Sequence, residues 1–254
     1  MNKNHEVLES FWKSAWERSP TPTQWEGQLS VDEGSLIQIQ IGDRFMAHGI
    51  RRFGWKVAAT NKAVQQQLGV SEPGFGSIYE NKVLWSGAAL VAGQLIQPHI
   101  ECELAFQLNK NISSARTVED MSNSVDFVYP AFEYIEKRVT VLDMGVAFAD
   151  NAEHTGIVLG QPVMHSIGKD YRQVVCTLFK DAARVDSAAG EVVLGDPLNS
   201  ILWLKQRLEK YQRQLTEGMV VMTGSFLRQL PVSSGNNIRA EFSGIGAVDI
   251  KIID

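Results

Sequence analysis

"IECELAF", residues 100–106, decides how this chain is read. Side chains in a strand point alternately to opposite faces. Ile100, Cys102, Leu104 and Phe106 then form one apolar face, and Glu101, Glu103 and Ala105 share the other. Two carboxylates two residues apart on one face repel each other unless something positive lies between them. A solvent-facing strand carries the same pattern, so spacing alone leaves two readings: a wet surface or a shared cation.

A third carboxylate sharpens the question. In "VYPAFEYIEKRV", residues 128–139, a strand puts Phe132 and Tyr134 on one face and Glu133 with Ala131 and Ile135 on the other. A carboxylate among apolar neighbours is costly unless it is neutralised. Three carboxylates converging on one point suit a hard divalent cation such as magnesium or manganese, with water or substrate completing the shell. Lys56, in "FGWKVA", either reaches the surface along its stem or sits in a pocket with a shifted pKa. His154, in the polar turn "ADNAEHTG", is either an ordinary loop residue or the border of a site. His5, His48, His99 and His165 show no mutual metal spacing.

Composition narrows the classes. The 254 residues are 44% hydrophobic and 21% charged, enough for a sizeable core. A net charge of -5 and the lack of a basic stripe with interleaved aromatics argue against nucleic-acid binding. Cys102 and Cys176 form no CxxC or zinc spacing and read as buried free thiols in a reducing compartment. The N-terminal stretch carries charges throughout, without an apolar signal core. No run approaches the ~18 apolar residues of a membrane helix. A cytoplasmic protein, away from membranes, is expected.

Along the chain, helical spacing covers Val7, Leu8, Phe11, Trp12 and Ala15. Ser30 and Glu33 fit a capping box for a second helix, with Leu36, Ile37, Phe45 and Met46 along one side. "FGWKVAAT" reads as a strand, "NKAVQQQLGV" as a helix, and "SEPGFGSI" as a loop because of its proline and glycines. Beyond about residue 78, β-branched and alternating segments dominate, among them "RQVVCTLFK", "GEVVLG" and "AVDIKII". Two helices interrupt them, "TVEDMSNSVDFV" and "PLNSILWLKQRLEKYQRQL". In the latter, Ile201, Leu204, Leu208 and Tyr211 form the buried face, and Lys205, Arg207, Lys210 and Arg213 the solvated one. This is an α+β pattern: a helical layer over residues 1–75 and a β-rich, largely antiparallel part over 76–254, together one unit.

No GxGxxG after a strand, Walker loop, GxSxG elbow or HExxH is present. Carboxylates are the chemistry that remains.

"GWKVAATNKAVQQQLGV", "IECELAFQLNKNI", "YPAFEYIEKR", "FADNAEHTGIVLG", "GDPLNSILWL" and "VVMTGS" occur in an order that resembles one family. It is the 2-keto-4-pentenoate hydratase and 4-oxalocrotonate decarboxylase family, within the fumarylacetoacetate-hydrolase-like superfamily. The resemblance covers nearly everything after about residue 20. It implies a mixed β-roll of the fumarylacetoacetase C-terminal-domain type with N-terminal helices, assembled as a homo-oligomer. It also implies a Mg2+ or Mn2+ site on Glu101, Glu103 and Glu133, with Lys56 catalytic and Asp150 and Asn151 near the substrate. The implied substrate is a small 2-oxo acid that chelates the metal.

One departure bears on the chemistry. Where hydratases of this type carry P-D-F-G, this chain reads "EPGFG", with Gly74 in the acid's place. Glu72, Glu153 and His154 are then the open candidates for the general acid. Arg228 is either a surface loop arginine or a partner for a second substrate carboxylate. The expected activity is that of a hydro-lyase, with a carboxy-lyase as the alternative and a catalytically lapsed 2-oxo acid binder as a third reading. A carbon–carbon bond hydrolase of the acylpyruvate type is disfavoured, because "TGSFLRQLP" replaces its T-G-T-P-x-G.

Overall fold

The computed structural model describes residues 3–138 and 143–254. In chain order the first elements are α1 (Lys3–Glu17), α2 (Val31–Ala47), β1 (Arg52–Ala58), α3 (Lys62–Leu68) and β2 (Gly74–Tyr79). Strands β3 (Val83–Trp85), β4 (Ala89–Val91) and β5 (Pro98–Leu108) follow, then α4 (Val118–Ser122), β6 (Val125–Glu136) and α5 (Met144–Ala149). Next come β7 (His154–Leu159), β8 (Val163–Met164), β9 (Val175–Lys180), β10 (Ala183–Ala189) and α6 (Pro197–Lys210). The chain ends with β11 (Val220–Met222), β12 (Leu230–Pro231), β13 (Asn237–Phe242) and β14 (Gly246–Ile253).

Among the described residues, two mixed sheets form. The larger runs β2-β1-β11-β5-β6-β7-β3, with β12 added on β5 and β8 on β6. The smaller runs β10-β9-β13-β14-β4. Most pairs are antiparallel, while β1–β11, β3–β7 and β4–β14 are parallel. Strand alternation assigns the two faces of the large sheet. Trp55, Cys102, Leu104, Phe106 and Phe132 face outward and pack with Cys176, Leu178, Ile238 and Val248 of the small sheet. Ile78, Ala105, Ala131, Ile157, Val220 and Met222 form a second cluster on the other face. They come from strands at both ends of the order, so the sheet curls around them. This is the β-roll that the family resemblance implied.

The helices close the roll. Ser30 and Glu33 make the anticipated capping box of α2. Val7 and Phe11 of α1 pack with Ile37 and Ile41 of α2 and with Val146 and Ala149 of α5. Leu36 and Met46, expected along that face, are exposed. No described helix is long and apolar enough to cross a membrane.

Other local expectations also change. "SEPGFGSI" is largely strand β2, because its glycines admit close neighbours. "GEVVLG" is a short 3-10 turn and not a strand, and "TVEDMSNSVDFV" is a single helical turn leading into β6. In α6, Lys205 and Arg207 are buried, since Arg207 reaches across to Asp32 and Glu72. Strands β1 and β2 belong to the large sheet, so the sheet continues across the 75/76 seam.

Candidate active site

Strands β5 and β6 are antiparallel neighbours, and their register sets Glu101 directly opposite Glu133. Glu103 lies two residues along on the same concave face. The three carboxylates each present an oxygen within 4.8 Å of the others. Glu103 and Glu133 are fully buried and Glu101 is partly buried. "IECELAF" is therefore an interior strand with carboxylates on one face and core on the other.

Like charges on opposed strands are unfavourable, and the surroundings offset this only in part. Lys56 Nζ lies 3.2 Å from Glu133 Oε1, and His154 Nδ1 is 2.8 Å from the same oxygen. The Gly224 N–H donates to Glu103 Oε2 at 2.8 Å. Gln229 hydrogen-bonds Glu101. Burial alone would raise the pKa of Glu133, but Lys56 and His154 hold it down at about 2. Burial and then the charge of Glu133 push Glu101 up to about 7. Burial, followed by Glu133 and Glu101, holds Glu103 well above the usual carboxylate range. For Lys56, burial favours the neutral amine, yet the three glutamates outweigh it and raise its pKa. The lysine stays an ammonium.

Glu103 Oε1 and Glu133 Oε2 are buried without a hydrogen-bond partner, as is His154 Nε2. Each such atom carries a desolvation cost of ~1–3 kcal/mol, more when charged. An all-oxygen donor set with uncompensated negative charge fits a hard divalent cation held by Glu101, Glu103 and Glu133.

Backbone groups complete the site. Asn151, Ala152 and Glu153 all have positive φ, at 57°, 51° and 63°. Non-glycine residues adopt this conformation at a cost of ~1–2 kcal/mol each. The turn is held by Asn151, whose amide accepts from Ser77 N at 2.7 Å and donates to Ser77 O at 3.0 Å. The result is that Ala152 O accepts from Lys56 Nζ at 2.9 Å. Gly224 also has positive φ, 108°, and a Cβ there would lie 2.3 Å from Thr60 Oγ1. Only glycine fits both the conformation and the space.

The structure thus brings Lys56, Glu101, Glu103, Glu133 and His154 together. Asp150 and Asn151 lie beside them in supporting positions. Asp150 accepts from Thr21 Oγ1 at 2.8 Å and is paired with Arg138, tying the N-terminal segment to the site. Glu72 is not gathered in: its carboxylate lies 3.0 Å from Arg207, on a surface it shares with Asp32. Arg228 is exposed, next to Gln229. Glu153 is paired with Lys137 at 2.5 Å. Sequence reasoning missed the Gly224 N–H, the Ala152 carbonyl and Gln229. The first two are main-chain groups, and "TGS" after an apolar strand was the only hint of the first.

Several comparisons bear on this geometry. Residues 56–253 match the fumarylacetoacetate (FAA) hydrolase C-terminal family. The 2-keto-4-pentenoate hydratase of Paraburkholderia xenovorans (strain LB400) is 30% identical over 225 residues, 87% of this chain and 83% of that protein. The 2-oxo-hept-4-ene-1,7-dioate hydratase of Escherichia coli is 26% identical over 235 residues, 89% of this chain and 88% of that one. The structure of 4-oxalocrotonate decarboxylase from Pseudomonas putida G7, complexed with magnesium and adipate, superposes with a TM-score of 0.91. That pair is 26% identical and covers 100% of this chain and 99% of the other.

Proposed function

Because the chain belongs to the fumarylacetoacetate (FAA) hydrolase C-terminal family, we propose that it is a divalent-cation-dependent lyase that adds water to a small conjugated 2-oxo acid. The observation that carries this reading is the convergence of Glu101, Glu103 and Glu133, with free buried oxygens, beside Lys56 and His154. A magnesium or manganese ion bound by the three glutamates would supply Lewis-acid polarisation of the substrate's 2-oxo group.

The protein's own groups do the rest. The Lys56 ammonium, fixed by Glu133 and Ala152 O, stabilises negative charge on the substrate oxygen as the double bonds shift. His154 is held through Nδ1 by Glu133, which leaves Nε2 to move a proton to or from the substrate carbon or the added water. Burial of the site keeps bulk water from competing for these charges. The thiols of Cys102 and Cys176 suit the reducing cytoplasm. Exposed Trp85, Met164 and Ile167 support assembly as a homo-oligomer.

A second reading, a carboxy-lyase acting on a 2-oxo-enedioate, draws support from Gly74. A Cβ on Gly74 would lie 2.3 Å from Phe148 Cε1, so the aromatic ring fills the place of an acid. The deciding experiment follows the dienol absorbance of 2-hydroxypenta-2,4-dienoate with and without magnesium or manganese, in wild type and Glu103→Gln. Cation-dependent formation of 4-hydroxy-2-oxopentanoate, lost in the variant, is expected. Carbon dioxide release from 4-oxalocrotonate with no hydration would favour the second reading, and cation binding without turnover of either would reduce the protein to a binder.

A further inference from the structure

Gln38 stands in the middle of α2 and is 2% exposed, yet its amide is only half satisfied. Its Nε2 donates to Phe75 O at 2.5 Å, and its Oε1 has no hydrogen-bond partner. A buried amide oxygen without a donor carries a desolvation penalty that an apolar residue at the same place would avoid. The bond to Phe75, between Gly74 and Gly76 of β2, fixes the amide's orientation, because a carbonyl is met only by the NH2 end. Oε1 is left as a fixed acceptor.

The same residue lines a cavity of about 100 Å³ whose other walls include Tyr79, Asn151, His154 and Thr155. On the scale of about 30 Å³ per liquid water, this space has room for water beside the carboxylate cluster. His154 is the second half-satisfied group on its wall. Its Nδ1 lies 2.8 Å from Glu133 Oε1, so Nδ1–H donates to the carboxylate and the neutral imidazole presents Nε2 as an acceptor. Nε2, like Gln38 Oε1, is buried and unpartnered. Two acceptors without donors on one small cavity suit a molecule with two hydrogens to donate, and water is the smallest. A water that donates both hydrogens keeps its lone pairs for another direction, which is the orientation a nucleophile needs.

We infer that Gln38 Oε1 and His154 Nε2 hold the water molecule that is added, which makes Gln38 a catalytic residue for hydration. The inference rests on the hydratase reading above and names the group that aims its water. In 2-oxopent-3-enoate, the keto form of the dienol, the water oxygen bonds to C4 while one of its O–H bonds breaks toward His154 Nε2. The C3=C4 electron pair passes into the C2 enolate, whose oxygen faces the Lys56 ammonium. C3 then takes a proton from His154, and the product, 4-hydroxy-2-oxopentanoate, is the substrate plus one water. Gln38 stays neutral throughout: it turns the water and moves no proton. The site can then lack an acid at Gly74 and still aim its nucleophile.

The test separates water addition from the rest of the chemistry. Hydration by the magnesium-loaded full chain is followed beside deuterium exchange at C3 of 2-oxopentanoate, a saturated analogue that accepts no water. Gln38→Met, which keeps the volume and loses the oxygen, should lower kcat for hydration at least about a hundredfold with KM little changed. Its exchange rate should stay within about threefold of wild type. Gln38→Glu, neutral when buried there, keeps an acceptor oxygen and should recover most of the hydration. A crystal structure of the wild type should show an ordered water about 3 Å from both Gln38 Oε1 and His154 Nε2. Should Gln38→Met fail to fold, that crystal decides alone. Hydration by Gln38→Met near the wild-type rate, equal losses of hydration and exchange, or a protein donor on Gln38 Oε1 in the crystal would overturn the role of Gln38 alone. Wild-type exchange without any hydration would overturn the hydratase reading with it.

Discussion

The ring of Phe148 lies where a side chain at residue 74 would project: Cε1 and Cζ would be 2.3 and 2.5 Å from a Cβ on Gly74. Gly74→Asp alone should therefore overpack the interior and cost ~1–3 kcal/mol. Phe148→Ala leaves a cavity costing ~3–5 kcal/mol. In the double variant the new side chain enters that cavity, so its loss should be smaller than the sum of the singles. Thermal melts of all four proteins measure this coupling, and strict additivity would show that the two residues do not compete for space.

Removing one carboxylate should weaken cation binding and relieve repulsion together. Glu103→Gln is expected to keep or raise the melting temperature of the cation-free protein, while magnesium no longer raises it. If Glu103→Gln retained a wild-type magnesium shift, Glu103 would not be a ligand.

Glu101, pushed up to about 7 from an ordinary value of 4.5, holds a proton in the fold that the unfolded chain releases. Its contribution to stability is fully present below about pH 4.5 and is lost as pH rises through 7. The depressed Glu133 acts with the opposite sign, but only toward its value of about 2. Between pH 5.5 and 8 the cation-free protein should thus lose stability that Glu101→Gln retains, as read from melts in chelator. Magnesium must displace that proton, so its affinity should fall as pH drops below 7. Proton release on magnesium binding, from calorimetry in buffers of different ionisation enthalpy, checks this independently.

Gly224→Ala should strain the backbone at φ 108° and collide with Thr60, moving the N–H that holds Glu103. A loss of ~1–3 kcal/mol and weaker magnesium binding are expected. Adding Thr60→Ala should recover little, because it does not change φ. Full recovery would assign the defect to the collision alone.

Strand alternation was enough to put Glu101 and Glu103 on one face of β5 and Cys102 on its apolar face, since that periodicity survives whatever tertiary context surrounds it; joining Glu133 to them took the family resemblance and is seen in the β5–β6 register. Lys56 and His154 were visible as polar residues in telling positions, but only the fold brings both to Glu133 Oε1. Glu72 looked close to the site in sequence, and Arg207, 135 positions later, claims it instead. Lys205 and Arg207 looked solvated because helical periodicity does not report ion pairs made to other elements. The Ala152 carbonyl and Gly224 N–H could not be read at all, as every residue has such groups and only conformation selects them. "SEPGFGSI" read as a loop because of its proline and glycines, whereas Gly74 and Gly76 make room in β2 for Phe148 and for the Lys56 stem.

The two-faced character of β5 also has a consequence for how the chain assembles. Sliding β5 by one residue against β6 would turn Glu101 and Glu103 into the apolar core and bring Cys102 and Leu104 to the centre of the roll. Such a product would bury two carboxylates among hydrocarbon and bind no cation. A mispaired chain is thus penalised twice, once by lost packing and once by exclusion from the cation-bound population. On the proposal that Glu101, Glu103 and Glu133 hold a divalent cation, β5 would therefore check its own register during folding, because only correctly paired chains would gain the stabilisation of binding.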